Sequence, residues 1–538
     1  MEAIRSGEQQ IEDTDEKEGR DKSLGASLDY GFRHAFKDDE LSIIALLHLF
    51  QGTVYVDVLY AMGNVDDHAL PELKGKNKEH LTDLLERAKD TGLLTQIGPA
   101  YFIIHPALPW FLRQLFARHY DGQGGRSTAQ VALRALVEAV GELGEYYQRK
   151  FNEGNQGVID LLELEEVNLL HARRLARRNQ WWHEIISCMQ GLRMLYTYQS
   201  RMAEWARLVS EIVPGYCTID DEPIPGREDQ YSLVMEYRIH LERCHERNLA
   251  KAQVLQQEVI KWDRQRAAAT LALPADASLD DEQRYWLRTL AASLENMGQI
   301  LQEGAGDAEC IQQYQECIRI LQCIGDKAGE ATAEYNLGFA YKDLLVIRDL
   351  DAAEAAYQRS LDLFDPKDAF KRSGCIKQIG TVHHERFRDA RNRKEPAETW
   401  LRHAQAAEEH YLQGLRLCPK DALTVLGPIH NSLGNLYLEI GQLDNARKHY
   451  ELDAQYEEKA GNRFGAGQTR FSMALMYARA SEKEGQLLQR RASLLRARAY
   501  AEAALRDYQC YQGRAAADEA NAQRLLDKID QVLAKLPQ

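Results

Sequence analysis

The chain has 538 residues, 44% hydrophobic and 28% charged, the balance of an ordinary water-soluble polypeptide. Its formal charge of -15 excludes a protein whose main work is to coat nucleic acid or an anionic membrane, because both need a basic face; only a local basic patch is compatible with it. Nine scattered cysteines without a CxxC pair and the absence of any run of about eighteen apolar residues predict a reducing, cytoplasmic setting and no membrane span.

Residues 1–27 carry eight acidic and four basic side chains, too polar to bury a face, and read as a disordered acidic arm. Over 28–120, helix signals at 39–50, 54–62 and 77–91 stop at Gly92. "LLTQI" and "YFIIH" then flank "GPA" as a short β-hairpin, before "PALPWFLRQLFARHY" resumes a helix with Pro106 in its first turn. Three helices and a hairpin predict a small winged-helix-like domain. Its third helix sets Lys78, Arg87 and Lys89 against Glu79, Asp83, Glu86 and Asp90, a balance that repels phosphates and disfavours DNA. The stretch "GQGGRST" (122–128) is Gly-rich but lacks the lysine and spacing of a phosphate-binding loop, and reads as a linker. No GxxxxGK[ST] loop occurs anywhere, which excludes ATP hydrolysis by that route.

Residues 126–285 keep helical periodicity, with loops at the Pro and Asp clusters of 214–229 and 274–282. Over 286–535 a sharper pattern sets in. In "NSLGNLYLEIGQLDNARKHYELD" (431–453), Gly441 is placed to stop one helix, Asp444 to cap the next, and Gly434 and Ala446 to let the two backbones approach closely. Equivalent small residues recur at Gly298, Gly338, Gly380, Gly434 and Ala474, spaced 40, 42, 54 and 40 residues apart. A period near 40 is a helical repeat, and the segment 386–399 reads as a lengthened hairpin loop.

This pattern resembles the tetratricopeptide repeat, with Leu-Gly-x-x-Tyr on the first helix and Ala-x-x-x-Phe/Tyr-x-x-Ala on the second. Residues 431–453 match at every position but the last, where Asp453 replaces the small residue. The expected fold is all-α: a tetratricopeptide-type superhelix over 286–535, degenerate repeats of the same kind over 126–285, and the winged-helix-like domain in front. The stretch "LLERAKDTGLLTQIGPAYFIIHPALPWFL" is similar to the winged-helix segment that follows the nucleotide-binding core in STAND-type signalling ATPases, the class containing NB-ARC proteins. In that family a histidine just after the wing, within Met-His-Asp, senses the nucleotide; His105 occupies the matching place, with Ile104 and Pro106 as its neighbours. The resemblance implies the rear, regulatory half of such a protein, either cut from a longer chain or standing alone, with a nucleotide-binding ATPase subunit among its partners.

Candidate chemistry is sparse. "HHE" (383–385), with His403 and His410 downstream, lacks the HExxH spacing, and adjacent histidines point to different helix faces, so no metal is expected. Cys310 and Cys317 stand where the repeat wants small residues. No catalytic constellation and no cofactor site is found, and the chain is read as a non-enzyme. Stacked hairpins leave their first helices lining a groove. Glu295, Gln299, Tyr335, Phe339, Lys342, Lys377, Thr381, His384, Asn431, Asn435 and Phe471 are predicted to point into it and to hold a protein or peptide partner. The alternative is a transcriptional regulator whose winged helix binds DNA under control of the repeats.

Overall fold

The computed structural model describes residues 34–536, apart from 66–67, 122–127, 153–154, 156, 200, 275–276, 305–307 and 511–514. The predicted acidic arm and nearly all of the Gly-rich stretch after the front segment lie outside the described residues. The chain divides into two compact units, one running to residue 151 and resuming over 157–230, the other over 231–538 with 152–156. Among the described residues no helix is long and apolar enough to cross a membrane.

The first unit opens with α1 (Asp38–Ala45) and a 3-10 turn, then β1 (Thr53–Tyr55), α2 (Val56–Met62), α3 (Lys78–Asp90), β2 (Leu94–Gly98), β3 (Tyr101–Ile104) and α4 (Pro109–Tyr120). The hairpin β2–β3 forms as its sequence suggests. The three-residue β1, too short to show a period, joins it in an antiparallel sheet of order β1-β3-β2, with Val54 opposite Phe102. The following helix begins at Pro109, not near Pro106: the backbone N–H of Ala107 donates to His105 Nδ1 at 3.2 Å and fixes a turn first. Four long helices complete the unit: α5 (Ala129–Asn152), α6 (Val158–Asn179), α7 (Trp182–Tyr198) and α8 (Met202–Ile212). Asn168 of α6 accepts from Gln51 N at 2.8 Å and donates to Thr53 O at 3.0 Å, tying α6 to the β1 end of the sheet.

The second unit is helical throughout its described residues: α9 (Glu228–Cys244), α10 (Leu249–Leu271), α11 (Asp281–Glu303), α12 (Glu309–Ile324), α13 (Lys327–Asp343), α14 (Leu350–Leu363), α15 (Ala369–Asn392), α16 (Ala397–Leu417), α17 (Leu423–Glu439), α18 (Leu443–Lys459), α19 (Arg463–Lys483), α20 (Leu487–Gln509) and α21 (Ala516–Ala534). From α11 to α20 they pair as hairpins, each helix packed against the next in sequence. The small marker residues explain the pairing. A Cβ at Gly298 would fall 2.6 Å from Tyr314, at Gly338 2.7 Å from Tyr357, at Gly380 2.8 Å from Tyr411 and at Gly434 2.6 Å from Tyr450. In each hairpin a fully buried tyrosine ring of the second helix lies directly on the backbone of the first. Burying one such ring contributes roughly 1.5–3 kcal/mol, and no side chain fits beneath it.

Three details of the second unit also differ from the expectation, as does the start of the helix expected at 54–62, whose first two residues belong to β1. The segment 386–399 is not a lengthened loop, because Phe387 and Ala390 are buried and carry α15 on to Asn392; only 393–396 separate it from α16. Asp444 does not cap α18: Gln442 holds the N-cap position and Asp444 lies fully exposed within the first turn. In the last hairpin Ala474 packs with Ala497 and Ala501, and the glycine-to-tyrosine contact is made seven residues earlier, where a Cβ at Gly467 would lie 2.9 Å from Tyr508.

Candidate functional site

In the front segment the cations of α3 are already engaged. Lys78 pairs with Asp57 at 2.7 Å, Arg87 with Glu40, and Lys89 donates to Gln96 at 3.4 Å. His105 is exposed just after β3, its ring committed to the local turn.

The predicted groove residues all lie on first helices of the hairpins. All are half-buried except His384, which is buried. Most are hydrogen-bonded to one another or to a neighbouring helix, forming a polar seam that sequence spacing alone did not reveal. Gln299 accepts from Arg243 at 2.8 Å, and Glu295 accepts from Asn336 of α13 at 2.7 Å. Burial lifts the Glu295 carboxyl to about 7, against the pull of that hydrogen bond. Tyr335 accepts from Gln378 of α15 at 3.2 Å and stacks edge-on against Phe339, over which Lys342 sits at 5.0 Å. Burial, with Lys342 nearby, lowers the Lys377 ammonium to about 8. Thr381 donates to the Lys377 carbonyl, and His384 faces Tyr411 and Glu439, each at 3.4 Å. Phe471 packs instead with Ala504 and Tyr508 in the core of the last hairpin.

Asn431 and Asn435 form a short relay. Asn431 donates to Asp453 at 2.7 Å, Asn435 donates to Asn431 at 2.9 Å, and Tyr450 donates to Asn435 at 2.7 Å. Asp453, the departure from the repeat signature, also accepts from Thr469 and sits one helical turn from Glu457. Gly427 and Gly465 leave the room: a Cβ at Gly427 would lie 2.8 Å from Glu457 Oε1 and 3.1 Å from Asp453 Oδ1. Burial raises Asp453 to about 6 and Glu457 to about 7, the latter helped by its acidic neighbour. Among the histidines, His383 stacks with His410 at 5.2 Å and with His403 at 6.3 Å, while His384 turns the other way. Among the described residues no group of His, Cys, Asp or Glu is arranged to hold a metal ion.

One open cleft, of about 890 Å³, lies at the carboxyl ends of α15, α17 and α19. Its cause is helix length. Counted from the marker residue, α15 runs twelve residues further (380 to 392) and α19 nine (474 to 483), but α17 only five (434 to 439). The short helix between two longer ones leaves a notch, which Arg388 and Arg391 line from one side and Arg479 and Lys483 from the other. Glu439 ends α17 in the middle. Burial pushes its carboxyl up, but His384 and Arg388 outweigh this and hold it at about 2. Arg388 grips Glu439 at 2.6 Å and Arg391 donates to its backbone carbonyl at 2.8 Å. Arg479 and Lys483 are exposed and have no ion-pair partner among the described residues. Of the predicted groove residues, Asn435 alone lines this cleft.

No family model matches the chain. Over 138 residues it is 33% identical to the photosystem I assembly protein Ycf3 of Synechococcus elongatus, a tetratricopeptide-repeat protein, covering 67% of that relative. The chain belongs to the tetratricopeptide-repeat proteins. The matched stretch is 25% of this repeat protein, and the Ycf3 of a second Synechococcus strain matches over the same extent. Among solved structures it is similar to a signal transduction ATPase with numerous domains (STAND) from Pyrococcus horikoshii, with a tetratricopeptide repeat sensor, at 12% identity and a TM-score of 0.45. That likeness takes in 93% of this chain but 66% of the other. A Rap protein complexed with competence and sporulation factor is similar at 11% identity and a TM-score of 0.38, over 73% of this chain and 99% of the other. Both likenesses are loose.

Proposed function

We propose that the chain is a non-catalytic docking module of the cytoplasm, which holds a protein or peptide partner along the first helices of its repeats. The observation that carries this reading is the run of half-buried polar and aromatic groups from Gln299 to Asn435, fixed by hydrogen bonds within and between hairpins. Groups held in place before binding lose little freedom when a partner arrives, so more of each contact becomes affinity. Membership among tetratricopeptide-repeat proteins supports the same reading; the relative it matches is named for assembling photosystem I, and an assembly role for this chain is one form of it. On the finer level, we read the front segment as a winged helix and the chain as the regulatory part of a STAND-type signalling protein, its ATPase supplied in trans or by adjoining sequence. Regulation of DNA is the weaker alternative, because the cations of α3 are tied to Asp57 and Glu40.

A photo-crosslinking amino acid placed at Gln299 or Thr381, on first helices, should capture a protein partner in cells. The same group at Gln315, exposed on α12, should not. Equal capture from all three positions, or capture from Gln315 alone, overturns the reading.

A further inference from the structure

We propose that the notch at the carboxyl ends of α15, α17 and α19 receives an acidic peptide segment of a protein partner, Arg479 and Lys483 taking its carboxylates and Asn435 its backbone. This rests on the reading of the chain as a docking module and adds the chemistry of what is docked.

Charge is the first argument. Arg388, Arg391, Arg479 and Lys483 line the notch with one acidic residue, Glu439, a formal excess of three positive charges in a chain whose total is -15; Glu385, from outside the lining, pairs with Arg388 at 2.6 Å and brings the local excess to two. Such a local reversal of sign attracts anions that the rest of the surface repels. Moreover, Glu439 is already spent on Arg388 and Arg391, which leaves Arg479 and Lys483 as the cations still open to a partner. The planar guanidinium suits a carboxylate in two-point contact, and the ammonium adds a second charge one turn along the same helix.

The shape of the lining selects among anions. Asn435 has spent one N–H on Asn431 and one lone pair on the Tyr450 hydroxyl; its remaining donor and acceptor match a peptide backbone. Tyr450 is itself seated on Gly434, so the amide is held by the core of the hairpin. Leu438, Ile440 and Leu475 supply an apolar floor for one side chain of the segment. No aromatic residue lines the notch, so bases have no platform on which to stack. A peptide with carboxylates flanking an apolar residue satisfies every group present, and a nucleic acid does not.

The test is fluorescence anisotropy with the full chain and a fluorescein-labelled Glu-Glu-Leu-Glu-Glu peptide. Saturable binding is expected, weakened at least tenfold in the Arg479→Ala/Lys483→Ala double variant and in the peptide with every Glu replaced by Gln. Both substituted side chains are exposed, so the variant should unfold at the same urea concentration as the parent. The proposal is overturned by no saturable binding to the parent chain, or by equal affinity in parent and double variant. It is also overturned if inorganic phosphate or a five-nucleotide uridylate displaces the probe as well as unlabelled peptide does, which would mark a general anion site. Crosslinking from Gln299 and Thr381 is independent of each result, so failure here leaves the docking reading standing.

Discussion

The hairpins α17–α18 and α19–α20 carry the same signature and use it differently. In the first, Gly434 takes the ring of Tyr450 directly, and both helices are 17 residues long. In the second, Ala474 packs in a cluster with Leu494, Ala497 and Ala501, the glycine-to-tyrosine contact has moved to Gly467, and the helices lengthen to 21 and 23 residues. A matched position therefore tells which helices pair, but not which side chain bears the contact or where the helix ends. The second of these freedoms, where each helix ends, is what creates the notch.

The largest expected effect tests the first difference. Gly434→Leu forces side-chain atoms into a ring whose nearest carbon already lies 2.6 Å from the Cβ position, and should cost more than about 3 kcal/mol in urea unfolding. Ala474→Gly removes one methyl and adds backbone freedom, a loss of about 1 kcal/mol. Equal losses at the two sites would erase the distinction drawn between them.

A second test concerns the acids found in only one of these hairpins. Asp453 and Glu457 are raised by burial to about 6 and about 7, so the folded chain binds their protons more tightly than the unfolded chain. Their contribution is therefore fully present at acid pH, below the unfolded values, and is lost as pH rises through about 6 to 7. The stability of the parent should fall over that window relative to an Asp453→Asn/Glu457→Gln variant by on the order of 2 kcal/mol, the pair titrating as one system. Parallel pH profiles for the two proteins would refute it. The smallest expected effect sharpens the comparison from the surface: Arg479→Ala alone should change stability by less than about 0.5 kcal/mol, because the residue has no ion pair to lose.

The hairpins could be read from sequence because close approach demands a missing side chain, and glycine at a fixed spacing is visible without coordinates. The ends of the helices could not. Phe387 and Ala390 extend α15 through a stretch rich in charge, where local composition suggests a loop and burial decides for helix. The candidate site followed the same division. Asn435 was within reach because it adjoins a marker glycine, whereas Arg388, Arg391, Arg479 and Lys483 come together only through the relative lengths of three helices from three hairpins. Asp453 was visible as a departure from the signature, but its company with Glu457, Thr469 and Asn431 depends on the glycines at 427 and 465.

The brevity of α17 carries one more implication. Adding two turns to that helix after Glu439 would fill the recess with peptide backbone while leaving every tyrosine seat intact. Selectivity here is thus adjustable by insertion or deletion, a currency separate from the substitutions that govern folding, so binding preference and stability can change independently of each other.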